Sequence, residues 1–131
     1  MMMRSDHVRQ LLQAAFPSVP CFNGAIDRNL EYAVGVFSRR SSNRVVAVGG
    51  RGNSSYNILP VTILAHWSQD ADQCEQTAQS IFDYLYCKSN FSIGDVNVIV
   101  ADVLSSGPID IDRDENNICE MTINVDFFYE R

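Results

Sequence analysis

Three stretches of the chain bring together residue types that do chemistry: the acids Asp110, Asp112 and Asp114, the glycine-rich VAVGGRGNSS of residues 46–55, and His66 beside Trp67. The three acids stand at the 1, 3, 5 spacing of a calcium loop, where carboxylates converge on one cation. Such a loop needs a glycine at its sixth position and a bidentate glutamate at its twelfth, and here those positions hold Glu115 and Met121. The run reads instead as a solvated hairpin turn. The glycine-rich stretch follows an apolar run, as phosphate-cradling loops do, yet it contains neither GxGxxG nor GxxxxGK[ST]. A strand pattern rather than a helix follows it, so the helix N-terminus that would hold a phosphate is missing. His66 has no serine or cysteine near it in a nucleophile-elbow context. It reads as a sheet histidine, and His7 as a surface residue of a first helix. The four cysteines at 21, 74, 87 and 119 lack paired CxxC spacing and read as small core residues of a reducing compartment. No catalytic residue, metal ligand or cofactor site is expected.

The charge is more telling than any single residue. The net charge of −6 divides into +4 over residues 1–51 and −10 over residues 52–131. Arg39, Arg40, Arg44 and Arg51 follow one another without an intervening acid. They lack the interleaved aromatics of a nucleic-acid surface, and the chain is acidic overall, with a pI near 4.7. Opposite charge on two portions of one chain suits head-to-tail self-association, in which one patch meets a different patch on the next copy.

The elements that hold these residues follow from periodicity. At 131 residues and 46% hydrophobic, the chain is expected to form a single domain with one sizeable core. No apolar run is long enough to span a membrane, and the N-terminus lacks the apolar core and cleavage site of a secretory signal. Residues 4–15 form a first helix, with Ser5 as its cap and Pro17 and Pro20 ending it. Phe22-Asn23-Gly24 reads as a turn. Residues 29–38 alternate as a strand, with Gly35 marking a bulge or close packing, and RVVAVGG is a candidate return strand. The stretch from about 39 to 57 is expected to be a mobile Arg/Gly/Ser loop. Residues 58–67 are a strand, with Pro60 fitting its start or a sheet edge. A long helix over 70–87 follows, with Asp70 at its N-cap and Gln73 three residues on. Its apolar stripe is Cys74, Ala78, Ile81, Phe82 and Leu85, and Lys88 complements the dipole at its end. Residues 93–104 read as one strand, and 105–117 as an acidic hairpin turn. Residues 118–129 carry the cleanest alternation, Cys119, Met121, Ile123, Val125, Phe127 and Tyr129 against polar neighbours. The expected architecture is α+β: an antiparallel or mixed sheet of four to five strands, packed by an N-terminal helix and one long central helix.

This layout resembles the tail-terminator and minor-capsid (head–tail joining) proteins of long-tailed bacteriophages. The likeness lies in a short first helix, strands with a polar Arg/Gly/Ser loop, and LPVTILAHWSQD running into the helix DADQCEQTAQSIFDYLY. The acidic turn DIDRDENN and the ending MTINVDFFYER complete it. It covers nearly the whole chain through degenerate patterns of residue type. The resemblance implies a structural virion protein rather than an enzyme, made in the bacterial cytoplasm and placed at the head–tail interface. It implies a homo-oligomeric ring, commonly a hexamer, that caps the tail tube and meets the head connector while DNA passes through the lumen without specific binding. In such a ring, Arg39, Arg40, Arg44 and Arg51 would meet acids of a neighbour, with Asp110, Asp112 and Asp114 the leading candidates. Two other readings stand beside it: another head-completion or tail-tube protein on the same fold, and an α+β ligand-binding domain unrelated to phages.

Overall fold

Two strands of unusual length form the spine of the sheet. The computed structural model describes residues 3–24, 31–39, 56–68, 70–105, 107–111 and 118–130. The alternation at the end of the chain becomes strand β7, Ile118–Glu130, and it pairs antiparallel with β3, Tyr56–Ser68, over their whole lengths from Tyr56↔Glu130 to Ser68↔Ile118. β2, Tyr32–Ser38, lies antiparallel on the outer edge of β3, and the short β1, Cys21–Asn23, lies parallel to β2. On the far side of β7 sits the hairpin of β4, Ser89–Ile93, and β5, Val96–Val103. The strand order is β1-β2-β3-β7-β5-β4, and the three-residue β6, Ile109–Ile111, pairs with β7 beyond the end of β5. Among the described strands, β1–β2 is the one parallel pairing, which makes the sheet mixed.

Two helices cover one face. α1, Ser5–Ala15, lies against β1 and β2 and reaches β4, while α2, Ala71–Leu85, crosses β3, β7 and β5. A helix that touches strands from both ends of the order requires the sheet to curl around it. The five residues of the expected stripe on α2, Cys74, Ala78, Ile81, Phe82 and Leu85, are its buried residues. They pack on Val61, Ile63, Ala65 and the alternate residues Cys119 to Tyr129 of β7 in one core. Fully burying a side chain such as Ile123, Phe127 or Leu85 contributes about 1.5–3 kcal/mol each, which makes this layer the main source of stability.

The helix ends follow local chemistry. Asp70 caps α2 by accepting from the Gln73 backbone N–H at 3.1 Å. On α1 the residue before the helix is Arg4, whose backbone N–H donates to Nδ1 of His7 at 2.9 Å. His7 therefore closes the helix start, and Ser5, the expected cap, instead donates from its hydroxyl to Asn23 at 2.6 Å. Asp6 accepts from Arg9 and Gln10, and these bonds hold its carboxyl below the usual range. Gln13 fastens the edge strand: its amide donates to the Val19 carbonyl and accepts from the Cys21 N–H, each at 3.0 Å.

Several expectations are corrected. Phe22-Asn23, expected as a turn, belongs to β1, because Gln13 and Asn23 tie that segment to α1 beside β2. Of the two readings of Gly35, a bulge or close packing, the bulge is excluded, since Gly35 sits in regular register with Leu64. Pro60 lies inside a central strand. Its carbonyl accepts from the Arg39 N–H at the point where the β2 ladder ends at Ser38↔Val61, so its missing N–H faces a ladder that has run out. Residues 93–104 are two strands rather than one: Gly94-Asp95 closes a hairpin between Ile93 and Val96, with Gly94 at φ 56°, a conformation open to glycine without steric cost. A register shift between Val98 and Val100 then turns Val100 away from the helix side and brings Ala101 onto it. Lys88 lies beyond the last turn of α2, with its ammonium over the rings of Tyr84 and Phe91 at 4.6 and 4.9 Å. Cys21, Cys74 and Cys119 are buried, but Cys87 is exposed.

Candidate functional site: the helix-free face of the sheet

Strand geometry sends alternate residues of β3 and β7 to opposite faces. The face away from the helices carries five cross-strand pairs down the middle of the sheet: Ile58↔Phe128, Pro60↔Asp126, Thr62↔Asn124, Leu64↔Thr122 and His66↔Glu120. Two of these pairs are joined by polar side chains, and Asp126 of a third is held by Arg39. The Thr62 hydroxyl donates to Asn124 Oδ1 at 2.7 Å. His66 Nδ1 lies 3.1 Å from Glu120 Oε2, and His66 is wholly buried while Glu120 is only slightly exposed. At Asp126 the partner is Arg39, whose Nη2 donates to the carboxylate and, at 3.2 Å, to the Val125 carbonyl. Its Nε donates to the Val61 carbonyl, also at 3.2 Å. Beyond it the Tyr56 ring tilts against Phe128, with centroids 5.6 Å apart.

The border of this face differs in character. In register, Val100, Asp102, Leu104, Ile109 and Ile111 stand opposite Phe128, Asp126, Asn124, Thr122 and Glu120, so they share the helix-free side. Leu104, Ile109 and Ile111 are 49%, 44% and 41% exposed. They are three of the five exposed large hydrophobics among the described residues, the others being Tyr32 and Tyr86, so the exposed apolar surface concentrates here. Asp102 is exposed beside them and has no ion-pair partner among the described residues. A shallow depression of ≈ 360 Å³ adjoins the patch, lined by Tyr86, Cys87, Val100, Ala101, Asp102, Val103 and Phe128.

The expected interface residues are placed unevenly. Arg39 was expected free on a loop for a neighbouring subunit. It follows β2 directly and is half-buried, and its guanidinium is held by Asp126 and two carbonyls of its own chain, because β2 stops one residue before it and leaves the side chain over the β3–β7 ladder. Arg40, Arg44 and Arg51 lie outside the described residues, as do Asp112, Asp114, the rest of the Arg/Gly/Ser loop and most of the acidic turn. Asp110 sits in β6, in register with Met121. Of the expected set, the described residues thus fix the side chain of Arg39 alone.

Sequence reasoning missed Glu120, Asp126 and Asp102. The first two were within reach, since they occupy even positions of β7 and must share a face with His66 and Pro60 once the two strands pair. The patch of Leu104, Ile109 and Ile111 gave no such signal, because its strand β6 is embedded in an acidic turn. Chemically, the face offers a buried imidazole–carboxylate pair, but no nucleophile joins it among the described residues. Nε2 of His66 has no hydrogen-bond partner there. Among the described residues no group of three or more His, Cys, Asp or Glu could hold a metal ion, and no helix is long and apolar enough to cross a membrane. The face thus combines a polar seam at its centre with an exposed apolar strip beside an acid at its border. No protein-family model matches the chain, and no curated protein matches it.

Proposed function

We propose that this chain is a structural subunit of the head–tail junction of a long-tailed bacteriophage: a tail terminator or minor capsid protein that closes into a homo-oligomeric ring on the end of the tail tube. The observation that carries the reading is the one-sided construction of the sheet. Both helices pack on one face, while the opposite face ends in the exposed strip Leu104, Ile109 and Ile111 beside Asp102. A surface of that kind is a place for another protein to sit. The resemblance in layout supplies the identity of the assembly, and the division of charge, +4 before residue 52 and −10 after it, supplies two unlike patches for a closed head-to-tail ring. A net charge of −6 also disfavours adhesion of DNA passing through a lumen.

A tail-tube subunit on the same fold would use the same face, but it would propagate rather than stop. Size exclusion with light scattering, followed by negative-stain microscopy with and without purified tail tubes, separates the two. The terminator reading expects closed six-fold rings that cap tube ends and halt growth. Stacked tubes formed by the chain alone would favour the tail-tube reading, and a chain that neither closes rings nor binds tubes would refute both.

A further inference from the structure

The exposed apolar strip lies beside an open strand edge. β6 pairs with β7 on one side, and no described strand pairs with its other side. An edge of this kind presents unpaired backbone donors and acceptors, which an extended segment can complete by adding as a further strand. Ile109 and Ile111 point to the same face from that edge, Leu104 continues the patch, and the exposed Asp102 adds a negative charge with no ion-pair partner among the described residues. The matching segment would be extended, rich in β-branched residues and flanked by positive charge.

The chain contains one such segment. Arg44-Val45-Val46-Ala47-Val48 is a β-prone apolar run headed by an arginine, and Arg51 follows it after two glycines. From residue 40 to residue 55 there is no acid, whereas residues 89–112 carry four acids and no lysine or arginine. Resting on the ring reading above, we propose that residues 44–51 of a second copy of this chain add to the open edge of β6, with their valines on Ile109 and Ile111 and their arginines near Asp102.

Reach favours a second copy over the chain's own segment. Arg39 lies level with Pro60, and Ile109 lies level with Leu64, three strands across. At ~3.4 Å per residue and ~4.8 Å per strand, Ile109 is about 20 Å from Arg39 and about 29 Å from Tyr56. The chain between them spans at most ~60 Å when fully extended. Touching β6 and returning takes about 49 of those ~60 Å, and Arg51, five residues before Tyr56, reaches at most ~18 Å back from it, so residues 44–51 cannot all lie along the β6 edge of their own chain. A neighbour's segment has no such tether.

A mixing experiment tests this. One variant, I109E/I111E, spoils the edge; another, R44E/V46E, spoils the segment. Each alone should fail to assemble and keep the thermal midpoint of the native chain, since the edge isoleucines are exposed. Mixed, they retain one intact edge and one intact segment, so a single contact forms and the mass rises to twice the 14.7 kDa of one chain and stops. If the native chain forms rings but the mixture stays monomeric, or either variant still closes rings, the edge assignment is overturned and the ring reading stands. If the native chain is a monomer at every concentration and on tail tubes, both are overturned.

Discussion

The two faces of the β3–β7 ladder are made from the same thirteen-residue strands and behave differently. The helix-covered face is a continuous apolar layer from Trp67 and Cys119 to Tyr129 and Val61. The helix-free face holds a polar seam, His66–Glu120, Thr62–Asn124 and Arg39–Asp126, with its apolar residues exposed at the border. The difference shows how alternation assigns one set of residues to an apolar layer under the helices and the other to a polar seam with an exposed apolar border. The covered face carries most of the stability, and the proposed assembly would use the other.

Substitutions on the two faces sharpen that contrast. The largest effect is expected in the covered layer: Phe127→Ala removes a wholly buried ring and should cost about 3–5 kcal/mol in chemical denaturation. A loss below about 1 kcal/mol would mean that α2 does not pack on β7 as described. In the seam, Glu120→Ala leaves the buried His66 imidazole without its partner and should cost about 1–3 kcal/mol. Glu120→Gln, which keeps a hydrogen-bonding group, should cost less; equal losses for the two variants would show that the hydrogen bond is not what matters. Arg39→Ala is expected to lower stability by about 1 kcal/mol, since its charge is only partly screened from water. Because that guanidinium is engaged within its own chain, ring mass and its salt dependence should not change. Rings that dissolve while the monomer melts as before would return Arg39 to the interface. The smallest effect is on thiol reactivity: an alkylating agent should label Cys87 quickly in the native state. Cys21, Cys74 and Cys119 should react only on unfolding, Cys21 the more so because burial pushes its thiol pKa up and keeps the reactive thiolate scarce. Native labelling of Cys119 would argue that the covered face opens.

The parts of the fold legible from residue type are those where one strong pattern governs. The stripe on α2, the Asp70 cap and the alternation of β7 each depend on short-range periodicity against a single flat partner, and all are present. What was hidden depends on pairing between distant segments. β1 exists because the Gln13 amide and Asn23 dock it on α1, contacts that no local pattern encodes. β6 is three residues long and draws its register from β7. The hairpin at Gly94-Asp95 was legible in principle, since a glycine followed by aspartate between apolar runs is a two-residue turn, but the valine-rich alternation on either side masked it. The site followed the same division. The arginines could be named from sequence, but that Arg39 would fold back on Asp126 depends on where β2 stops, and the exposed border arises only once β5 and β6 share an edge of β7.

The central claim is that the helix-free face serves assembly of identical copies. Native mass spectrometry of the chain across a dilution series tests it most directly. A closed ring at a fixed multiple of 14.7 kDa, six in the expected case, that persists on dilution and is lost in I109E/I111E without loss of folding is the result the account predicts. A single 14.7 kDa species at every concentration, or a ring that the I109E/I111E variant leaves intact, would contradict it.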